Sequence, residues 1–208
     1  MTLRLILGIR ALFTRTQNLC AAFPPTGYTG PVNDTRHIFN LALVGFMGTG
    51  KSSVGRAAAE LLQFEFVDTD ALIEARFGCS ITDIFAREGE PAFRQYEKEA
   101  IAGLSRRRGL VIATGGGAVV DPGNMDCLKT HSLVIWLCAS PETIWERVRN
   151  QTHRPLLQTP DPLGRIRELM ALREPAYRRA DVHLLSCLRA PREVAQQIVH
   201  QFHLAHRR

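Results

Sequence analysis

Gly45-Phe46-Met47-Gly48-Thr49-Gly50-Lys51-Ser52 meets the pattern G-x-x-x-x-G-K-[ST] at every fixed position. Leu41-Ala42-Leu43-Val44 precedes it and reads as a short buried strand. Residues 52–62 follow and read as a helix. Strand, glycine loop and helix is the context in which this pattern binds phosphate. An ordinary Gly-rich turn is the weaker alternative, because both flanks are in place. The glycines let the backbone curl until several N–H groups face one anion, and the helix N-terminus adds positive potential there. Gly48, Thr49, Gly50, Lys51, Ser52 and Ser53 are thus expected to hold the phosphates of a nucleoside triphosphate. Lys51 reaches the β- and γ-phosphates as charge develops, and the Ser52 hydroxyl can hold Mg²⁺.

Outward from this stretch, short apolar runs alternate with amphipathic segments. Strands are expected at residues 41–44, 64–67, 110–113, 133–137 and 182–185. Helices are expected at 52–62, 71–76, from Ser80 as a cap, 90–105, 141–149, 163–173, 175–178 and 191–204. Near-continuous apolar strands separated by helices predict a parallel sheet covered on both faces. Ligands of such sheets bind beyond the carboxyl ends of the strands. The phosphate loop, Asp68-Thr69-Asp70 and Gly115-Gly116-Gly117 each follow a strand, so they are expected to converge.

The chain has 208 residues, of which 45% are hydrophobic, enough for one α/β domain with a core. No internal repeat or second domain is visible. The net charge of +6 suits phosphate-rich small molecules as well as nucleic acid. The basic residues form no stripe interleaved with aromatics, which argues against nucleic acid. Five widely spaced cysteines with no C-x-x-C pair predict neither a disulfide framework nor a zinc site. His200, His203 and His206 read as a solvated tail rather than a metal site. No apolar run reaches the roughly 18 residues of a membrane span. Residues 1–38 stand apart. They are Arg-bearing, lack an acid before Asp34, and end in a connector with Pro24, Pro25, Gly27, Gly30 and Pro31. Three readings stay open there: a dispensable extension or an early start codon, a targeting segment, and an accessory element.

Two carboxylates at i and i+2, Asp68 and Asp70, can serve a metal and a substrate hydroxyl; a turn or capping role is the plainer alternative. Three successive glycines let backbone approach a ligand closely, although a tight turn also uses them. Arg94, Arg147, Arg154 and Arg173 offer guanidinium forks for carboxylate or phosphate. Taken singly, each is an ordinary surface arginine.

In combination these motifs carry more. The phosphate loop, Asp68-Thr69-Asp70, Phe93-Arg94 in an acidic helix, Thr114-Gly115-Gly116-Gly117-Ala118, Arg154-Pro155-Leu156-Leu157 and Arg173-x-Pro175-x-Tyr177 follow in the order seen in shikimate kinases. The chain resembles that family from about Asn40 to its last helix. The resemblance implies a nucleoside-monophosphate-kinase-like P-loop fold with a mobile lid, over residues 39–208. It implies transfer of the ATP γ-phosphoryl group to the 3-hydroxyl of shikimate, with Mg²⁺. Lys51, Asp70 and Arg154 are then catalytic, with Arg154 on the lid touching phosphate and substrate. Asp70, Arg94, Gly115, Gly116, Gly117 and Arg173 bind shikimate, the two arginines at its carboxylate. Ser52 and Asp68 serve the metal, Arg147 lies against the adenine, and the segment from Arg189 to Pro191 closes the other side. The expected partners are ATP and shikimate alone, with no nucleic acid or membrane, for a monomer in the cytoplasm; an organellar location stays open if residues 1–38 are a transit peptide. The rivals are a gluconate or nucleotide kinase on the same fold and a non-catalytic paralogue. The glycine triplet with Arg94 and Arg173 argues against the first, and the intact Lys51, Ser52, Asp70 and Arg154 against the second.

Overall fold

In the computed structural model, which describes residues 27–28, 36–150, 157, 159–187 and 189–206, the apolar runs form the centre of one sheet. β1 (Gly27–Tyr28) and β2 (Asn40–Val44) come first, followed by β3 (Glu65–Asp68), β4 (Leu110–Ala113), β5 (Ser132–Cys138) and β6 (Val182–Leu185). Every residue of β2, β4 and β5 is buried. Burial on both faces is why these strands read as unbroken apolar runs. The order is β1-β6-β5-β2-β4-β3, with β1 antiparallel on β6 and the rest parallel.

Side-chain alternation along each strand divides the core into two. Leu41, Leu43, Val111, Leu133, Ile135 and Leu137 face one side. There they pack against Val54 and Ala58 of α1 (Lys51–Leu62) and Val194, Ile198 and Phe202 of α7 (Pro191–His206). Ala42, Val44, Ile112, Val134 and Trp136 face the other. They meet α4 (Pro122–His131), α5 (Pro141–Val148) and α6 (Pro162–Tyr177) through Met125, Leu128, Ile144, Ile166 and Tyr177. A satellite cluster of Ile73, Ile84 and Phe93 joins α2 (Thr69–Phe77) to α3 (Ile81–Leu104). Among the described residues, no helix is long and apolar enough to cross a membrane.

Chain order reverses at β2, which lies between β4 and β5. That reversal opens a crevice beyond the strands' carboxyl ends. The loops after β2, β3, β4 and β6 all leave there.

Three elements differ from the sequence reading. No helix was expected over Pro122–His131. The helix forms because Asp121 Oδ1 accepts the Gly123 N–H at 2.8 Å and Pro122 needs no donor in the first turn. Residues 163–173 and 175–178 form one helix, α6, which runs through Pro175; beyond it the Arg178 N–H closes on Glu174 O at 2.9 Å. Gly27–Tyr28, which the sequence reading gave to a connector, forms β1 on the edge of the sheet; the helices expected from Ser80 and from Glu90 are both present and meet within α3 at Gly89, whose backbone (φ 82°) is not helical.

Residues 36–38, assigned by sequence to the extension, pack on the domain. Ile38 is buried, and the Arg36 guanidinium reaches Asp181 Oδ1 at 3.0 Å. Asp181 has no exposed side-chain surface; Lys129 Nζ pairs with it at 3.1 Å and the Val134 N–H donates to it at 2.9 Å. One carboxylate therefore ties the chain's entry, α4 and β5 together. Asp181→Ala is expected to lower unfolding free energy by about 2–4 kcal/mol, measured by urea denaturation. A change within error would mean that water replaces these contacts without cost.

Candidate active site

The phosphate loop turns between β2 and α1 in a conformation that side chains resist. Gly48 has φ 73°, and a Cβ there would sit 2.8 Å from Val148 Cγ1. Gly50 caps α1 from the left-handed region. Lys51 folds back over the loop, its ammonium donating to Gly45 O at 2.8 Å and Phe46 O at 2.9 Å. Thr49 is buried and donates to Phe46 O at 2.8 Å. The Ser52 hydroxyl donates to Asp68 Oδ2 at 2.9 Å, so the two expected metal residues meet at the head of α1. Asp68 Oδ1 also accepts the Asp70 N–H at 3.1 Å and so caps α2. A hydroxyl and a carboxylate together form a hard oxygen donor set, which suits a hard divalent cation.

On the other side of the loop lies the glycine turn after β4. The Gly115 N–H donates to the buried Thr69 Oγ1 at 3.1 Å, joining the turn to the Asp-Thr-Asp segment. A Cβ on Gly115 would stand 2.6 Å from both Asp70 Oδ1 and Glu97 Oε1. One on Gly116 would meet Met47 N of the phosphate loop at 3.2 Å, and one on Gly117 would meet the Arg94 guanidinium at 2.7 Å. Arg173 Nη1 donates to Gly116 O at 3.3 Å and lies over the Phe46 ring, 5.6 Å from its centroid. Asp70, Arg94 and Arg173 thus meet on one side-chain-free turn beside the phosphate loop.

Sequence reasoning passed over Glu97. It is 1% exposed, and the Arg94 guanidinium donates to it while also donating to Glu90 at 2.8 Å and 3.1 Å. Burial pushes the Glu97 carboxyl above its ordinary range, with Arg94 opposing and Asp70 adding to the rise. The signal was present in the spacing. Phe93, Glu97, Ile101 and Leu104 form the buried stripe of α3, and a carboxylate on such a stripe asks for a partner. Thr69 was likewise assigned no role between its two aspartates.

Arg147 bridges the loop and the far wall, donating to Gly48 O at 3.0 Å and Ser186 O at 2.9 Å. With Gly50, Ser53, Ser186, Arg189 and Pro191 it lines a cleft of about 450 Å³ that opens onto the phosphate loop. A larger groove, about 710 Å³, runs along α7 by Glu193 and His200 and contains no phosphate-loop residue. Arg154, together with the lid expected around it, lies outside the described residues for 151–156.

Fold and site define a P-loop kinase: a parallel sheet, a phosphate loop at its switch point and an acceptor site alongside. The family described as "Shikimate kinase" matches residues 47–203. A shikimate kinase of Hahella chejuensis is 49% identical over 161 residues, 77% of this chain and 84% of that protein. The structure of a shikimate kinase from Acinetobacter baumannii in complex with shikimate is 39% identical, with TM-score 0.77, over 81% of this chain and 94% of the other. A gluconokinase from Sinorhizobium meliloti, 18% identical over 83% and 95% of the two chains with TM-score 0.54, shows the common fold alone. The chain belongs to the shikimate kinase family, whose members are ATP-dependent kinases.

The raised Glu97 carboxyl gives a pH signature. A carboxyl whose folded pKa lies above its unfolded value contributes stability at pH below the unfolded value, and that contribution is lost as pH rises through the folded one. Glu97→Gln removes the loss, so the variant's melting temperature relative to wild type is expected to rise as pH climbs above the ordinary carboxyl value of about 4.5. Its affinity for the acceptor falls, because Arg94 loses its buried partner. A pH-independent difference in thermal melts would contradict the first expectation.

Proposed function

We propose that this chain transfers the γ-phosphoryl group of ATP to the 3-hydroxyl of shikimate. One observation carries the reading: two guanidinium groups, Arg94 and Arg173, and one carboxylate, Asp70, gather on a turn without side chains next to the phosphate loop. Shikimate is a small ring bearing a carboxylate and three hydroxyls. The guanidinium forks suit the carboxylate, and Asp70 suits the vicinal hydroxyls. Membership of the family and the shikimate complex of a relative support the same acceptor. An open-chain gluconate or a nucleoside monophosphate has less use for this pairing.

Phosphoryl transfer asks the protein for positioning and charge neutralisation. Asp70 accepts a hydrogen bond from the attacking hydroxyl and can take its proton as the new O–P bond forms and the bond to the β-phosphate oxygen breaks. Lys51 gives up its loop carbonyls for the β- and γ-phosphates. Ser52 and Asp68 would hold Mg²⁺, which would supply positive charge to offset that of the phosphates. Arg147 and Arg189 flank the adenine in the cleft beside Ser53, and the family resemblance assigns Arg154 to the transferring phosphoryl group. The chain acts as a monomer in the cytoplasm.

The test is ADP release by the purified chain with ATP and Mg²⁺, offering shikimate, gluconate or AMP. Shikimate alone is expected to drive turnover. Asp70→Asn should slow it by roughly 10²–10⁴-fold without altering the melting temperature. Unchanged turnover in Asp70→Asn would reduce Asp70 to a structural residue, and turnover with gluconate or AMP instead would replace the acceptor.

A further inference from the structure

The Arg173-x-Pro175-x-Tyr177 stretch gives Arg173 to the acceptor site and leaves Tyr177 without a role. Tyr177 is 2% exposed, and its ring stacks on Trp136 with centroids 5.7 Å apart. A core residue would need no more than that ring. Yet its hydroxyl donates to Gly116 O, the carbonyl that also receives Arg173 Nη1 at 3.3 Å. Arg173 and Tyr177 are four residues apart on α6 and so share a face. One helix thus places two donors on one carbonyl of the glycine turn.

From this arrangement we infer that Tyr177 is a positioning residue for the acceptor: it holds the Gly116 carbonyl, so that the turn keeps its shape when Arg173 leaves that carbonyl for the acceptor's carboxylate. The inference rests on the acceptor reading above.

Three glycines have no side chains of their own to fix their dihedral angles, so the turn takes its shape from its anchors. The Ala118 and Val120 N–H groups donate to Gly115 O and Gly117 O, each at 3.1 Å; beside Arg173, the side-chain anchors are Thr69 on the Gly115 N–H and Tyr177 on the Gly116 carbonyl. The Gly116 carbonyl and the Gly117 N–H share a peptide plane and point opposite ways. Holding the first therefore directs the second, at the residue against which Arg94 rests. A carbonyl has two lone pairs, so Tyr177 and Arg173 bind it together while the site is empty. When Arg173 turns to an anion, Tyr177 prevents the half-buried carbonyl from losing both partners, a costly state. Burial pushes the Tyr177 hydroxyl up to about 12, so it stays a donor throughout the neutral range.

Tyr177→Phe keeps the ring and its stacking and removes the hydroxyl. The expected result is a shikimate KM raised about 10-fold, with kcat and the ATP KM changed by less than about twofold. In an Arg173→Lys background the same change should add little, because the two donors serve one carbonyl. An unchanged shikimate KM would overturn the inference. So would equal rises in both KM values, full additivity with Arg173→Lys, or a variant unfolded at assay temperature, each of which makes Tyr177 a core residue only. A wild-type chain that does not phosphorylate shikimate overturns the acceptor reading and this inference with it. A wild type that does so, matched by an equally competent Phe variant, overturns the inference alone.

Discussion

The absence of a side chain at Gly115 is the constraint around which the acceptor side is organised. A single Cβ there would press within 2.6 Å of two carboxylates, Asp70 and Glu97. Without it, α2, α3 and the end of β4 close on one another, and the Gly115 N–H reaches Thr69. The same closeness brings Arg94 onto Gly117 and Met47 of the phosphate loop onto Gly116. Donor and acceptor sites are therefore neighbours across a strip of bare backbone. A reaction that depends on positioning gains most from such closeness.

Charge balances along this strip. Asp70 and Glu97 put two acids beside each other in a half-buried place, and Arg94 and Arg173 offset them. Glu97 costs stability when ionised, yet it holds Arg94 from behind, while the exposed Glu90 holds it from solvent. An arginine fixed from two sides loses less freedom when it takes up an anion. The arrangement gives up some stability to preorganise the clamp. The nucleotide side rests on other contacts: the loop's own carbonyls hold Lys51, and Arg147 ties the loop to the segment after β6.

Much of this was legible in the sequence because the signals are local. Leu41–Val44 and Leu133–Leu137 are apolar at every position, and burial on two faces follows directly. Ser80 announced a helix start, and it closes a capping box with Asp83. Arg94, Arg173 and the glycines were named from short motifs and meet in space. What stayed hidden depends on long-range contacts or on local signals with two meanings. Pro122–His131 carries no assigned element in the sequence reading, and the Asp121 cap on Gly123 starts its helix. Pro175 separates two helical stretches in the sequence reading, yet α6 runs through it. The Tyr177 hydroxyl meets a carbonyl 61 residues away, which no periodicity encodes.

Calorimetric titration of Gly115→Ala with shikimate, and separately with a non-hydrolysable ATP analogue, tests the central claim most directly. The atoms that a Cβ would meet are ends of side chains, so the variant is expected to fold, with Asp70 and Glu97 displaced. The account predicts a near-normal melting temperature, unchanged affinity for the ATP analogue and loss of shikimate binding. Shikimate affinity equal to that of the wild type would contradict it.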